Sequence, residues 1–331
     1  MTGYAAVKSA FVYVTDRSGY ELAQHSAMSL VLSQPAPCAV QIFCYQFTPS
    51  PIAGFSELLA ARGAILTVSP ISNLAVEHHT TFGHVTTPTL LKLSAVAKLI
   101  RDYDRIIYLD NDILVFDDLK LGEVELGKYP IAAVIDMDLS ATGVLRDTKW
   151  AAAGGKSENV GGYFNAGFMI FASENWQADS FLKDYAAALD EHELNCPYKL
   201  NCTSIDQCAL NQTFERRWLK LPPSYNMQAG AKFTVSWKTA AVRHYCGNRK
   251  FVPVAAFRND RRDTRHLNDI RRALGQPLVL WPFLYEIPFR ANTMRKYRSD
   301  ALMRRFLRDL RRDPAPGRAQ RLHDIPDSGW S

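Results

Sequence analysis

No apolar run in this 331-residue sequence approaches the roughly 18 residues that a membrane-spanning helix requires. The first residues also lack the basic segment, continuous apolar stretch and cleavage site of a secretory leader, so the sequence reads as cytoplasmic. Cysteine is scarce. Cys38, Cys44, Cys196, Cys202, Cys208 and Cys246 are too few and too dispersed to form a secreted disulfide framework, and most read as reduced core residues. Cys196, Cys202 and Cys208 recur every six positions, but without a close Cys-x-x-Cys pair the pattern argues against a zinc site. The net charge of +6 is unevenly held: from Arg258 onward there are 17 Lys and Arg against 9 Asp and Glu, so the basic character belongs to the tail.

What is present is a globular chain with 47% apolar residues, enough for one large α/β domain with an appendage. Phe11–Val14 reads as a strand, Thr15–Tyr20 as a turn, and Glu21–Ser33 as a helix stopped by Gln34-Pro35-Ala36-Pro37. A strand over Val40–Tyr45, a helix over Phe55–Arg62 closed by Gly63, and a strand over Ala64–Val68 follow. This alternation predicts a doubly wound, parallel sheet. Thr89–Leu99 carries one helical register, and a single lysine on it, Lys92, is by default solvated. Later strands are expected over Tyr129–Ile135 and Tyr163–Phe171, and helices over Phe181–Leu194 and from Ser204, which is placed as a cap.

The chemistry gathers around Tyr103–Asp118. The apolar run Ile106–Leu109 reads as a buried strand that delivers Asp110 and Asp112 where it stops. Two carboxylates there repel one another and resist desolvation, and a divalent cation with oxygen ligands relieves both. An Asp-x-Asp triplet also arises by chance in loops, but the carboxyl end of a strand is where open α/β sheets bind ligands. Asp206 sits in a helix's first turn, where an acid commonly just complements the helix dipole, and a lone histidine such as His244 is commonly structural.

Four segments in order, Tyr-Leu-Asp-Asn-Asp (108–112), Phe-Asn-Ala-Gly (164–167), Asp-Gln-x-x-Leu-Asn (206–211) and His-Tyr-Cys-Gly-x-x-Lys (244–250), resemble the retaining nucleotide-sugar glycosyltransferases of family 8. That family includes glycogenins and bacterial lipopolysaccharide galactosyl- and glucosyltransferases. The resemblance covers roughly residues 9–252. It implies a nucleotide-sugar-binding domain of the GT-A type, α/β with a mixed, mostly parallel central sheet, in residues 1–257, followed by a basic, partly amphipathic helical extension in 258–331. It further implies a divalent ion, Mn2+ with Mg2+ as the alternative, held by Asp110, Asp112 and His244. One imidazole beside two carboxylates suits manganese better than calcium. Asn111, Gly247 and Lys250 would face the donor diphosphate, Val14, Asp16 and Tyr20 the uridine, and Lys92 the donor. Asn165, Asp206 and Gln207 would line the transferred sugar, with Asp136 toward the acceptor. Retention of anomeric configuration leaves open a double displacement through Asp206 or Gln207 and a same-face substitution; glutamine's poor nucleophilicity favours the latter. Phe251-Val252-Pro253 after Lys250 and Ser18-Gly19 before Tyr20 depart from the family's usual residues.

The expected activity is therefore transfer of a hexose from a UDP-sugar to a carbohydrate or glycolipid acceptor. Beyond Arg258, Thr264–Leu274 reads as a helix closed by Gly275. From Asp300, apolar Leu302, Met303, Phe306, Leu307 and Leu310 alternate with arginines at helical spacing. That helix fits either packing on the domain or contact with the inner face of a membrane. Two other readings stand beside the enzyme: a catalytically silent nucleotide-sugar binder, and an RNA-binding protein acting through the arginine-rich tail. The tail's interleaved aspartates and lack of a nucleic-acid-reading module argue against nucleic acid.

Overall fold

Strand and helix alternate from the first described residues onward in the computed structural model, which describes residues 8–49, 53–79, 81, 85–136, 162–176, 178–196, 202–231, 235–246, 250–251 and 261–278. In chain order the elements begin β1 (Ser9–Thr15), α1 (Tyr20–Ser33), β2 (Ala39–Cys44), α2 (Ala53–Ala60) and β3 (Ile65–Pro70). Next come α3 (Leu74–Glu77), α4 (Thr87–Leu90), α5 (Lys92–Leu99), β4 (Arg105–Leu109), β5 (Ile113–Val115), β6 (Ile131–Ile135) and β7 (Phe164–Ala172). The series continues with α6 (Ala178–Asn195), α7 (Ile205–Thr213), β8 (Trp218–Lys220), β9 (Met227–Gln228), α8 (Val235–Thr239), β10 (Val242–His244) and α9 (Arg261–Ala273).

Seven strands form one sheet in the order β3-β2-β1-β4-β7-β6-β8. β1 to β4 pair in parallel, as the alternation predicts, but β7 runs antiparallel to both β4 and β6. The sheet is thus mixed rather than wholly parallel. All nine residues of β7 are buried, which explains why its sequence shows no alternation to betray its direction. A second, small sheet, β5-β10-β9, pairs His244 with Ile113 and fixes the late histidine beside the acidic strand end. The backbone N–H of Tyr245 donates to the Asp112 carbonyl at 2.9 Å and locks that register.

Two local expectations change. The single helix expected over Thr89–Leu99 is two helices that meet at Leu91, whose ψ of 1° leaves the helical region. Ser204 stands at the N-cap of α7 with a φ of −150° but makes no capping hydrogen bond through its side chain.

The helix expected after Arg258 is α9, and it packs on α1 with Leu267 and Ile270 buried. Gly275 follows it at a φ of +66°, the left-handed stop that glycine adopts most readily. Asp263 of α9 pairs with Arg243 of β10 in the interior, and the Trp237 indole N–H also donates to it at 3.3 Å. A buried ion pair of this kind is costly to break from either side, so α9 is anchored to the strand that carries His244. The helix expected from Asp300 lies outside the described residues.

Candidate active site

The parallel strands β1 and β4 end at one edge of the large sheet, and antiparallel β7 begins there. β6 also ends there and delivers Asp136. A cleft of about 440 Å³ opens at this edge, lined by Val14, Asp16, Gly19, Lys92, Asp110, Asn111, Asp112, Asp136, Asn165, Asp206, Gln207, His244 and Lys250 among others. The fold thus brings together most of the residues singled out from the sequence. Gly247 lies outside the described residues. Tyr20 does not line the cleft: its ring packs edge-on against Phe47, with centroids 5.5 Å apart.

Donor atoms of Asp110, Asp112 and His244 lie within 4.8 Å of one another. His244 Nε2 is 3.1 Å from Asp112 Oδ1 and 3.8 Å from Asp110 Oδ2. Asp112 is only 5% exposed, and the Lys250 ammonium closes on its other oxygen. Burial alone would raise the Asp112 pKa, but Lys250 and His244 outweigh it and hold the carboxyl far below the usual range. Lys250, with a third of its side chain exposed, is in turn held charged by Asp112 against the cost of its burial.

Lys92 overturns the expectation of a solvated helical lysine. It is 2% exposed, and its Nζ sits 3.0 Å from Asp110 Oδ1, 2.9 Å from Asp206 Oδ2 and 3.3 Å from the Ala166 carbonyl. Burial opposes its charge, yet the two carboxylates prevail and lift its pKa above the ordinary value. Asp206 is therefore more than a complement to the dipole of α7. It shares a buried cation with the strand-end acid. Tyr108 completes this corner by donating its hydroxyl to Asp110 Oδ1 at 2.9 Å.

A directional chain of amides links the metal-type cluster to the sugar-type residues. The backbone N–H of Gly167 donates to Asn165 Oδ1 at 3.0 Å, which fixes the orientation of that amide. Asn165 Nδ2 then donates to Asp136 Oδ2 at 3.1 Å, and Asn226 Nδ2 donates to Asn165 Oδ1 at 2.8 Å. The Asn226 oxygen is thereby turned toward His244 Nδ1, 3.1 Å away, so that nitrogen donates to it and Nε2 is the one directed at the two aspartates. On the other side the Ala166 N–H fixes the Gln207 oxygen at 3.0 Å, and Gln207 Nε2 donates to Asp136 at 3.0 Å. The donor set and the imposed tautomer both fit a divalent cation.

Gly167 serves this geometry in a second way. A Cβ there would stand 2.3 Å from His244 Cε1 and 2.6 Å from Nδ1, so the imidazole occupies the space that only glycine leaves. In the first loop, Asp16 Oδ1 accepts from Ser18 Oγ at 2.7 Å and from the Gly19 N–H at 2.9 Å, and Asn111 Nδ2 reaches the Val14 carbonyl at 3.0 Å. Asn111 is thus a brace between β4 and β1 at the cleft wall. Asn211 plays a similar part, pairing with both backbone groups of Phe164 at 2.7 and 2.8 Å and tying α7 to the start of β7.

Sequence reasoning missed Asn226 and Gln228. Both are buried, and Gln228 Nε2 donates to the Ile135 carbonyl at 3.1 Å. Their i, i+2 spacing around Met227 was the available signal, since two amides on one face of a strand need partners.

The sequence profile of glycosyl transferase family 8 matches residues 11–251. Among curated proteins, general stress protein A of Bacillus subtilis is 28% identical over 191 residues, which is 53% of this chain and 62% of that protein. The probable glycosyl transferase Gly of Streptococcus gordonii is 32% identical over 124 residues, 37% of this chain and 15% of that one. The matches thus span less than two thirds of these relatives. Among solved structures, the galactosyltransferase LgtC in complex with donor and acceptor sugar analogues superposes with a TM-score of 0.63 at 20% identity, covering 82% of this chain and 97% of that one. The bifunctional glycosyltransferase WbbM gives 0.60 at 16% identity, covering 82% and 53%. At these identities the likeness is one of fold.

Proposed function

Since the chain belongs to glycosyl transferase family 8 and is a glycosyltransferase with a GT-A fold, we propose that its cleft binds a UDP-sugar with a divalent ion and transfers the hexose with retention to a carbohydrate or glycolipid acceptor. The observation that carries this reading is the meeting of Asp110, Asp112 and His244, with Nε2 of the histidine directed at both carboxylates, next to Lys250 on one side and Lys92, Asp206, Gln207 and Asn165 on the other. Asp110, Asp112 and His244 would hold manganese, or magnesium in its place, whose charge would offset that of the departing diphosphate. Lys250 is the residue that would add a cation for the phosphates: unlike Lys92 in the same cleft, it keeps a partly exposed side chain. Val14, Asp16 and the Gly19 loop form the wall for the nucleoside.

Same-face substitution is the mechanism these contacts favour. The oxygen of Gln207 that would have to attack already accepts the Ala166 N–H, and its nitrogen is spent on Asp136. Asp206 is held against Lys92 as one half of an ion pair. These groups are placed to accept hydrogen bonds from sugar hydroxyls and to stabilise positive charge at the anomeric carbon, while the leaving phosphate takes the acceptor proton. Asp136, which collects the amides of both Asn165 and Gln207, orients the sugar side of the cleft.

We place the enzyme in the cytoplasm, at the inner face of the membrane when the acceptor is a glycolipid. No helix among the described residues is long and apolar enough to cross a bilayer. The decisive experiment is hydrolysis of a panel of UDP-sugars in manganese and after chelation, repeated with Asp112→Ala. Turnover that depends on the ion and falls with the substitution is expected. Activity that survives both would overturn the metal assignment, and tight UDP binding with no turnover of any sugar would favour a silent binder.

A further inference from the structure

A second cluster of metal-type side chains lies away from the cleft, at the junction of α6 and α7. His192 occupies the last turn of α6, and Cys196 follows four residues later, joined to it by a hydrogen bond from the Cys196 N–H to the His192 carbonyl at 2.9 Å. That spacing sets both side chains on one face of the helix end. Cys202 comes back to the same place, so that donor atoms of His192, Cys196 and Cys202 lie within 4.8 Å of one another. The exposures of the three are 1%, 1% and 3%.

Two features set this group apart from a reduced apolar core. Both ring nitrogens of His192 are sealed from solvent and have no nitrogen or oxygen partner, and the atoms beside them are thiol sulfurs. A metal–nitrogen bond would satisfy a buried imidazole whose neighbours are otherwise thiols. The Cys202 sulfur also receives the backbone N–H of Ser204 and touches Cys208, whose own sulfur is 3.1 Å from the Tyr163 hydroxyl. Backbone N–H groups directed at a sulfur are the usual outer support of a metal-bound thiolate. No disulfide links any of the six cysteines, so the sulfurs are available as ligands.

We propose that His192, Cys196 and Cys202 form a structural zinc site, with the fourth position open to Cys208 or a water. An imidazole with two or more thiolates is the donor set of tetrahedral zinc rather than of the hard oxygen-seeking cations. The site clamps the end of α6 to the residues that lead into α7. Thr203 and Ser204 line the cleft directly after Cys202, and Asp206 and Gln207 follow them. Bound zinc would therefore hold the sugar-side residues in place without touching substrate. The cysteines alone argued against zinc because none are closely paired. The missing ligand is a histidine one helical turn upstream.

The test uses the full-length chain, freed of any affinity tag and purified without chelator. Elemental analysis should find zinc in a stoichiometric amount, and cobalt(II) exchanged for it should give the near-ultraviolet charge-transfer band of thiolate ligation. Cys196→Ser and Cys202→Ser should each lose the zinc and the band, whereas Asp112→Ala, which breaks the other cluster, should keep both. If the serine variants are insoluble, titrating the wild-type thiols with a mercurial should release zinc to a colorimetric chelator. Wild-type protein without zinc that also takes up no cobalt, zinc retention that follows Asp112 instead of Cys202, or a mapped Cys196–Cys202 disulfide would overturn the proposal.

Discussion

Replacing Gly167 by alanine tests whether the strand β7 glycine exists to seat the His244 ring. The added Cβ would lie 2.3 Å from His244 Cε1, 2.6 Å from Nδ1 and 3.0 Å from Asn165 Oδ1. Carbon contacts settle at about 3.5–4.0 Å, so the ring must retreat by about 1 Å. It has little room to do so. His244 is 4% exposed, held at 3.1 Å by Asn226 on one nitrogen and at 3.1 Å by Asp112 on the other. Losing one of these contacts while its partner stays buried costs about 1–3 kcal/mol. Overpacking adds about 1–3 kcal/mol, for a total destabilisation of roughly 2–6 kcal/mol.

Catalysis should suffer alongside folding, because a ligand displaced by about 1 Å commonly costs on the order of 100-fold in rate. Urea unfolding measures the first quantity, and manganese titration of UDP-sugar hydrolysis the second. A double-mutant cycle isolates the cause. If the clash is with the imidazole, Gly167→Ala should cost little further stability once His244 is already alanine, so the coupling energy should approach the whole cost of the single substitution, about 2–6 kcal/mol. Gly167→Ala within about 0.5 kcal/mol of the parent, with an unchanged manganese response, would refute the reasoning.

Lys92→Met strands Asp110 and Asp206 together in the interior and should destabilise the fold by about 3–5 kcal/mol in urea unfolding; a loss below about 1 kcal/mol would mean the two acids relax into solvent. Asn226→Ala removes the group that fixes the His244 tautomer and should weaken the apparent manganese affinity about 10–100-fold while leaving the sheet intact, as read by ion titration and circular dichroism. His266 gives a pH signature. Burial lowers its pKa to about 4, although its contact with the Val115 carbonyl at 2.7 Å favours the proton. The unfolded chain takes up that proton near pH 6.5 and the folded chain only near pH 4, so stability is full above pH 6.5 and falls as pH drops through that window. The loss is at most about 3 kcal/mol, and His266→Gln, which keeps a donor but does not titrate, should flatten it.

The β/α alternation up to β3 and the acidic strand end were legible because periodicity and strand termini are local properties. Burial of Lys92 was not. Its helix offers no acid within reach, and the two carboxylates that draw it inward come from Asp110 and Asp206, distant in sequence. The antiparallel sense of β7 was hidden for a different reason: a strand buried on both faces looks the same in either direction. The small sheet that delivers His244 rests on β5, β9 and β10, of three, two and three residues, too short for any period to register. The family motifs located the histidine, but not the Asn226 that aims it.

The interruption between β6 and β7 explains why these pieces can meet at all. Ala133 pairs with Met169 while the next residue, Val134, pairs with Asn165, so Ala166, Gly167 and Phe168 face no partner on β6. In a regular ladder the backbone groups of these residues would be consumed by the neighbouring strand. Released from it, the Ala166 N–H takes the Gln207 oxygen, the Ala166 carbonyl takes Lys92 and the Gly167 N–H takes Asn165, while the Gly167 carbonyl extends the pairing with β4 by accepting the Asp110 N–H at 2.8 Å. Each of the four contacts reaches a residue of the cleft. The bulge is therefore the point from which the polar chain acquires its direction, and with it the tautomer that leaves His244 Nε2 facing Asp110 and Asp112. On this view the Phe-Asn-Ala-Gly segment matters less for the one side chain it presents than for the backbone groups it withholds from the sheet.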